Sequence, residues 1–283
     1  MRSIIVTGGA GFIGSHLVDR LIDQGKTVII VDNLSTGKEA NLNPKANFWH
    51  DRVEKVFFSR EPIEVIFHLA AVPRIQPSFK CPFETYQSNS TGTMSMLELA
   101  RYHKARLVYA GSSTACGDVM LNPYAFFKHQ GEDCCKLYSK VYGVSTVIAR
   151  FFNVYGPRQI GEGDFATVLG IWEQQYRNKQ PLTITGTGEQ KRDFTHVDDI
   201  VNGLLAMSTK DWKGNIFNLG SGKSYSLNEV AKMFGTEIEY IPARPGEVWA
   251  THAKITHSKR MLKWRPEKDL EQYIKCLSAI SGN

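Results

Sequence analysis

The chain has 283 residues, of which 42% are hydrophobic and 22% charged, the balance of an ordinary globular protein with a sizeable core. Its net charge of +6 suits an anionic partner, but lysine and arginine are scattered without the basic runs of a nucleic-acid surface, which favours a small anionic substrate. It has no signal-peptide core, no apolar stretch near the roughly 20 residues that span a bilayer, and no CxxC pair or Cys/His cluster. These absences predict a cytoplasmic protein with no membrane partner, disulfide framework or metal site.

The first half of the chain alternates short apolar runs with stretches of helical spacing. The predicted strands are Ser3–Thr7, Thr27–Asp32, Val65–Leu69, Arg106–Gly111 and Ser145–Arg150. The predicted helices are Phe12–Asp23, Glu84–His103 and Tyr124–Tyr142. Continuous apolar strands separated by helices predict an α/β fold, a doubly wound parallel sheet of the Rossmann type covered on both faces.

A glycine-rich turn joins the first predicted strand to the first helix. Its glycines allow a tight turn and close approach of the backbone to a pyrophosphate, and the helix that follows offers unpaired N–H groups and a positive dipole end. The candidate residues of this turn are Gly8, Gly11, Phe12, Ile13 and Gly14. Asp32 ends the second strand, where an acid accepts hydrogen bonds from the adenosine ribose and repels a 2′-phosphate. The combination predicts bound NAD rather than NADP.

A second signal lies at the start of the last of these helices. Pro123 suits a first helical turn, so Tyr124 and Lys128 lie one turn apart on one face. A phenol titrates at about pKa 10, and a nearby ammonium together with a cationic nicotinamide lowers that pKa. The pair is therefore a candidate general base with its activating cation.

The pattern becomes loop-rich after Arg150, where glycine and proline are frequent. We predict an NAD-binding Rossmann domain at residues 1–155, with residues 190–215 packed on it. Residues 156–283 are predicted to form a smaller, mainly substrate-binding region.

Motifs in order along nearly the whole chain resemble the extended short-chain dehydrogenase/reductase superfamily, and within it the NAD-dependent nucleotide-sugar epimerase/dehydratase family typified by UDP-glucose 4-epimerase. Besides the glycine turn, the matching segments are Asp32-Asn33, His68–Ala71, Asn89 with Gly92-Thr93, Gly111–Thr114, Tyr124 with Lys128, Arg150–Arg158, Gly188–Phe194 and Arg244–Glu247.

The resemblance implies a role for each matching residue. The catalytic group it implies is Ser112, Thr114, Tyr124 and Lys128, with Thr114 bridging the reacting sugar hydroxyl to Tyr124. Besides Tyr124 and Lys128, further cofactor contacts are implied for Asn33, Ser35, Thr36, Gly37, Leu69, Ala70, Ala71 and Asn89. Substrate contacts are implied for Asn153, Arg192 and Arg244 on the diphosphate and for Thr251 beside the C2 substituent of the sugar.

The implied reaction is epimerisation of a nucleotide-sugar, a UDP-hexose at C4, through a transient 4-keto sugar. A 4,6-dehydratase needs an acidic pair after Thr114, where this chain has Ala115 and Cys116, and a decarboxylase likewise needs an acid nearby. A non-catalytic dinucleotide sensor is the alternative from another class.

The chain departs from the family pattern at three places. Cys116 stands where the family usually has a tyrosine, the loop from Gly117 to Tyr124 is shorter than usual, and Asp51-Arg52 matches the family only loosely. The short loop and the small Thr251 favour acceptance of both UDP-glucose and UDP-N-acetylglucosamine. The family also implies a homodimer through the helices that begin near Glu84 and Tyr124. Apolar residues at helical spacing in these helices include Met94, Leu97 and Leu137.

Overall fold

The structure, a computed structural model, describes residues 2–56 and 59–281. Its strands are β1 (Ser3–Thr7), β2 (Val28–Asp32), β3 (Asn47–His50), β4 (Ile63–His68), β5 (Arg106–Ser112), β6 (Thr146–Phe151), β7 (Val154–Tyr155), β8 (Leu182–Thr185), β9 (Lys191–Asp193), β10 (Thr195–His196), β11 (Asn215–Leu219), β12 (Ser224–Ser226) and β13 (Ile238–Ile241). Its helices are α1 (Phe12–Asp23), α2 (Ile75–Lys80), α3 (Pro82–Tyr86), α4 (Gly92–His103), α5 (Pro123–Tyr142), α6 (Val168–Arg177), α7 (Val197–Met207), α8 (Leu227–Phe234), α9 (Thr256–Leu262) and α10 (Leu270–Ser281).

Seven strands form one sheet in the order β11-β6-β5-β4-β1-β2-β3. β1 pairs in parallel with β2 and β4, β2 with β3, and β4 with β5. Every residue of β1 and β2 is buried, as expected for strands covered on both faces. The five strands predicted from apolar runs are therefore confirmed, together with the doubly wound fold class.

The two strands that the sequence did not indicate lie at the edges of this sheet. β3 is only partly buried, and β11 alternates between buried and more accessible residues, so neither presents a continuous apolar run. Pairing with a neighbouring strand, rather than local composition, therefore defines them.

The helix predicted over Glu84–His103 is interrupted. α3 leads through a π-helical turn at Gln87–Thr91 into α4. The hydroxyl of Thr93, in the first turn of α4, donates at 2.6 Å to the carbonyl of Asn89 in this π-helical turn, so a side chain competes for a backbone acceptor. Such turns in helices are frequent at functional sites.

α5 begins and ends as its sequence predicts. The Asn122 side chain accepts a hydrogen bond from Ala125 N at 2.8 Å, Pro123 occupies the first turn, and Gly143 ends the helix with φ +66°. This places Tyr124 in the first turn of a helix of 20 residues, one turn before Lys128.

The chain divides into two compact units. The first unit contains Met1–Arg150 and Val201–Phe217, and its core packs strand residues such as Ile5 and Ile66 against helix residues such as Leu97. The second unit contains Phe151–Ile200 and Asn218–Asn283. Its separate core includes Trp172, Leu182, Val230, Phe234 and Ile274.

Candidate active site

The glycine turn of the first unit has the geometry of a pyrophosphate-binding turn. Gly8 has φ +72°, and a Cβ there would lie 2.9 Å from Ala70 N, so the turn packs directly on the loop after β4. A Cβ on Gly14 would overlap the Gly8 carbonyl oxygen. α1 then begins at Phe12 behind Gly11, which has no side chain to cap the first N–H groups, including that of Ile13. These groups fit an anion at the start of the helix.

Asp32 links this turn to the loop after β2. Its carboxylate accepts hydrogen bonds from Ala10 N at 3.0 Å and from Leu34 N at 2.8 Å. In the same loop, Asn33 Oδ1 accepts from Ser35 N at 3.1 Å, and Thr36 leads into Gly37, whose Cβ would lie 3.0 Å from Asp32 Oδ1. The predicted adenosine-side residues Asp32, Asn33, Ser35, Thr36 and Gly37 therefore share one loop at the carboxyl end of β2.

The loop after β4, which contains Leu69, Ala70 and Ala71, is held from two sides. Thr7 Oγ1 accepts hydrogen bonds from Leu69 N at 3.1 Å and from Ala70 N at 3.0 Å. Asn89 is buried, and its amide accepts from Val72 N at 2.8 Å and donates to Val72 O at 3.1 Å. The structure thus uses the Asn89 side chain to position the loop.

Ser112 is the centre of the predicted catalytic group. It ends β5, and its Oγ accepts hydrogen bonds from Thr114 Oγ1 at 2.8 Å and from Thr114 N at 3.2 Å. Thr114 contacts Ser112 because the 3-10 turn Ser113–Cys116 directs its hydroxyl back to the strand end. The bridge from the sugar hydroxyl through Thr114 to Tyr124 stays a prediction.

Burial raises the pKa of Tyr124, while the hydrogen bond with Ser112 and the positive charge of Arg74 lower it. Lys128 Nζ donates to Ala110 O at 2.9 Å, and the predicted lowering of the Tyr124 pKa by Lys128 together with a cationic nicotinamide stays a prediction. Desolvation of the phenolate outweighs the nearby positive charge.

Lys128 is only 4% exposed, and burial lowers its pKa to about 8, against the charge of Glu132, which raises it. Glu132, one turn later on α5, is fully buried and accepts from Arg150 Nε at 2.8 Å and Nη2 at 2.6 Å. Sequence reasoning missed both Glu132 and Arg74 as site residues. A charged residue four positions after a catalytic lysine on a helix was the available signal for Glu132.

The second unit contains the predicted substrate residues. Asn153 Nδ2 donates to Asp193 O at 3.0 Å and to Thr251 Oγ1 at 3.1 Å, and Thr251 Oγ1 also accepts from Asp193 N at 3.2 Å. Arg192 Nη1 donates to Lys191 O at 3.0 Å, and burial lowers the pKa of Arg192. Asn153, Arg192 and Thr251 are therefore brought together around β9, whereas Arg244 lies exposed in the loop after β13.

Asp193 organises this group, and sequence reasoning did not single it out. Its carboxylate is fully buried and accepts from Ser221 N and Oγ, both at 2.7 Å, and from Gly222 N and Ala253 N, both at 3.0 Å. A buried acid that receives several N–H bonds is a fixed anchor for the strand that carries Arg192. An acid directly after Arg192 in the matching segment Gly188–Phe194 was its signal in the sequence.

In the described part of the chain, no helix combines the length and the apolar character needed to cross a membrane.

The sequence profile of the NAD dependent epimerase/dehydratase family matches residues 4–220. The chain is 38% identical to a putative UDP-glucose 4-epimerase of Methanocaldococcus jannaschii over 96% of both chains. It is 34% identical to UDP-glucuronic acid decarboxylase 1 of Arabidopsis thaliana, over 95% of this chain and 67% of that protein. The crystal structure of UDP-glucose 4-epimerase with UDP-glucose from Thermotoga maritima has 32% identity and a TM-score of 0.92, covering 99% of both chains.

A glycine turn after the first strand of a doubly wound sheet, an acid at the end of β2 and a Tyr/Lys pair on one helix are features typical of dinucleotide-dependent oxidoreductase-type enzymes. The chain belongs to the NAD dependent epimerase/dehydratase family. The resemblance drawn from its motifs is thereby confirmed, and so is NAD as the cofactor of the family.

Proposed function

We propose that the protein is an NAD-dependent nucleotide-sugar epimerase that inverts C4 of a UDP-hexose. The observation that carries this proposal is the group of candidate catalytic residues in the first unit, in which Thr114 Oγ1 donates to Ser112 Oγ at 2.8 Å and Tyr124 lies one turn before Lys128 on α5. The M. jannaschii and T. maritima relatives, both named as UDP-glucose 4-epimerases, support the same reaction.

Bound NAD supplies the chemistry of taking the C4 hydride and returning it. We assign NAD binding to the first unit, through the glycine turn, Asp32 and the loop after β4. Tyr124 is assigned as the base that takes the proton of the C4 hydroxyl and later returns it, with Ser112 and Thr114 orienting the hydroxyl. Lys128 is assigned to the nicotinamide ribose.

The second unit is assigned the nucleotide diphosphate, with Asn153, Arg192 and Arg244 as its contacts. Arginine forks bind phosphate oxygens bidentately, and Arg192 is already oriented by carbonyl acceptors. An anchored diphosphate leaves the sugar free to present either face, as inversion at one carbon requires.

Decarboxylation of a UDP-uronate is the second candidate, because the A. thaliana decarboxylase matches 95% of this chain. The residues after Thr114 argue against a decarboxylase and against a dehydratase, because neither Ala115 nor Cys116 has a carboxyl group. Asp118, the next acid, instead accepts from Met120 N at 2.9 Å.

The test is incubation of the purified protein with a panel of UDP-, GDP- and dTDP-sugars, with products resolved by NMR and Tyr124→Phe as the control. Epimerisation at C4 of a UDP-hexose supports the proposal. A pentose product with release of carbon dioxide indicates the decarboxylase instead. A protein that binds NAD and converts no sugar is the non-catalytic sensor.

We also propose a homodimer through the outer face of α3, α4 and α5. These helices carry exposed apolar side chains, among them Phe83 at 69% on α3, Met94 at 37% on α4 and Leu137 at 52% on α5. Leu97, another of the apolar residues at helical spacing, is fully buried in the core of the first unit. Light scattering should give twice the chain mass, and Leu137→Glu should give monomer, whereas the exposed Met261→Glu on α9 should not.

A cytoplasmic location is proposed as well. All five cysteines are free, and free thiols are typical of a reducing compartment. Expression as a fluorescent fusion followed by cell fractionation tests this placement.

A further inference from the structure

His68 ends β4 immediately before the loop that contains the proposed NAD contacts. Its ring is only 1% exposed, so both of its nitrogens need partners within the protein. Nδ1 lies 2.9 Å from Thr7 Oγ1, and Nε2 lies 3.1 Å from Thr93 Oγ1. Burial, assisted by the charge of Lys128, lowers the pKa of His68 to about 3, so the ring is neutral.

The neighbouring bonds fix which nitrogen carries the hydrogen. Thr93 donates its hydroxyl to the Asn89 carbonyl, and a hydroxyl has a single hydrogen to donate. Thr93 Oγ1 therefore accepts from His68, which places the hydrogen on Nε2. Nδ1 must then accept from the Thr7 hydroxyl.

The same chain of bonds continues into the loop. With its hydrogen directed to His68, Thr7 Oγ1 accepts from Leu69 N and Ala70 N. The hydrogen bonds that connect these two N–H groups with the Asn89 carbonyl therefore all run in the same donor-to-acceptor direction. The Asn89 amide closes the circuit by binding both the N–H and the carbonyl of Val72 in the same loop.

We infer that His68 is a positioning residue for the cofactor, because the directional chain from Leu69 and Ala70 through Thr7, His68 and Thr93 to Asn89 sets the loop after β4. The inference rests on the proposed NAD site. The loop packs on the glycine turn, since a Cβ on Gly8 would lie 2.9 Å from Ala70 N. A shift of the loop therefore acts on the pyrophosphate turn as well as on the loop's own cofactor contacts.

Thr93 offers a test that leaves the histidine in place. Thr93→Val keeps the shape of the side chain but removes both the acceptor for His68 and the donor to Asn89, whereas Thr93→Ser keeps the hydroxyl. Thr195→Val is the matched control, because Thr195 is equally buried and its hydroxyl has no hydrogen-bond partner among the described residues.

The measurement is the dissociation constant for NAD, determined by calorimetric titration of protein freed of cofactor, beside the melting temperature without NAD and the KM for the nucleotide-sugar. Thr93→Val should weaken NAD binding about tenfold, which corresponds to about 1.4 kcal/mol. In Thr93→Ser and Thr195→Val, the dissociation constant for NAD should stay within about twofold of the wild-type value. A twofold change corresponds to about a third of the binding free-energy change expected for Thr93→Val. The KM for the nucleotide-sugar should not change.

Thr7→Val breaks the chain at its other end and should weaken NAD binding in the same way, which keeps the test valid if Thr93→Val does not fold. Unchanged NAD affinity in Thr93→Val or Thr7→Val, or an equal loss in Thr93→Ser, overturns the inference while the proposed function stands. A wild-type protein that binds no NAD overturns the proposed function itself, and the inference with it.

Discussion

Replacing Lys128 by methionine should stabilise the fold while it removes activity. The lysine is almost fully buried, and its pKa falls from 10.5 to about 8. The unfolded chain therefore holds this proton more tightly than the folded protein does, and the charge opposes folding at every pH below about 8. Methionine fills a similar volume without charge.

The expected magnitude follows from the two pKa values. A shift from 10.5 to about 8 corresponds to about 3 kcal/mol against the folded state at pH 7. Methionine also leaves the Ala110 carbonyl without its 2.9 Å hydrogen bond, which offsets about 1 kcal/mol. We therefore expect a net stabilisation of about 2 kcal/mol at pH 7.

The pH dependence separates this reasoning from a simple packing effect. Wild-type stability should rise with pH between about 8 and 10.5, as the folded lysine loses its proton before the unfolded one does. The advantage of Lys128→Met in urea denaturation, followed by tryptophan fluorescence, should therefore largely disappear at pH 10. Lys136→Met is the control, because Lys136 is an exposed lysine on the same helix, paired with Asp133. A destabilised Lys128→Met at pH 7, or an advantage equal at both pH values, would refute the argument.

Three further predictions concern the proposed site. Tyr124→Phe should lower kcat by about 10²–10⁴ with little change in substrate affinity, measured by NMR turnover and calorimetry, and near-normal turnover would place the base elsewhere. Mass spectrometry of denatured protein should recover NAD. Asp32→Asn should improve NADP binding relative to NAD about tenfold, since it removes a negative charge that repels the 2′-phosphate. Recovery of NADP alone from wild type would defeat this reasoning. Wild type should turn over both UDP-glucose and UDP-N-acetylglucosamine, and Thr251→Tyr should selectively impair the acetylated sugar by about 1–3 kcal/mol, with Thr251→Ser as control. An equal loss of turnover on both sugars in Thr251→Tyr would contradict this assignment of Thr251.

The parts of the site that the sequence predicted are those set by short-range physics. Gly8 needs φ +72° and close contact with the loop after β4, and Asp32 is the last residue of a strand whose other residues form a continuous apolar run. Tyr124 and Lys128 share a helix whose first turn is marked by Asn122 and Pro123. Each of these features can be seen within a few residues of the chain.

The features that escaped prediction depend on contacts between distant segments. Glu132 on α5 meets Arg150 on β6, 18 residues later, and Arg74 acts on Tyr124 across 50 residues. Thr114 donates to Ser112 because of the local 3-10 turn Ser113–Cys116, which composition does not reveal. Helical or strand periodicity carries no information on which charged side chains will face each other in the fold.

Burial raises the pKa of Tyr124 and lowers the pKa of Lys128. Both shifts favour the uncharged form of the side chain, the neutral phenol and the neutral amine. Tyr124 must be ionised to act as the proposed base. Because burial disfavours the phenolate, nearby positive charge is needed to stabilise it. Arg74 and Ser112 supply part of this stabilisation, and under the proposed function the cationic ring of oxidised NAD would add to it, whereas the neutral reduced ring would not. Deprotonation of Tyr124 would then be linked to the oxidised cofactor. Such a linkage would suit an epimerase, because the proposed reaction needs the proton to stay on the phenol until the hydride is returned.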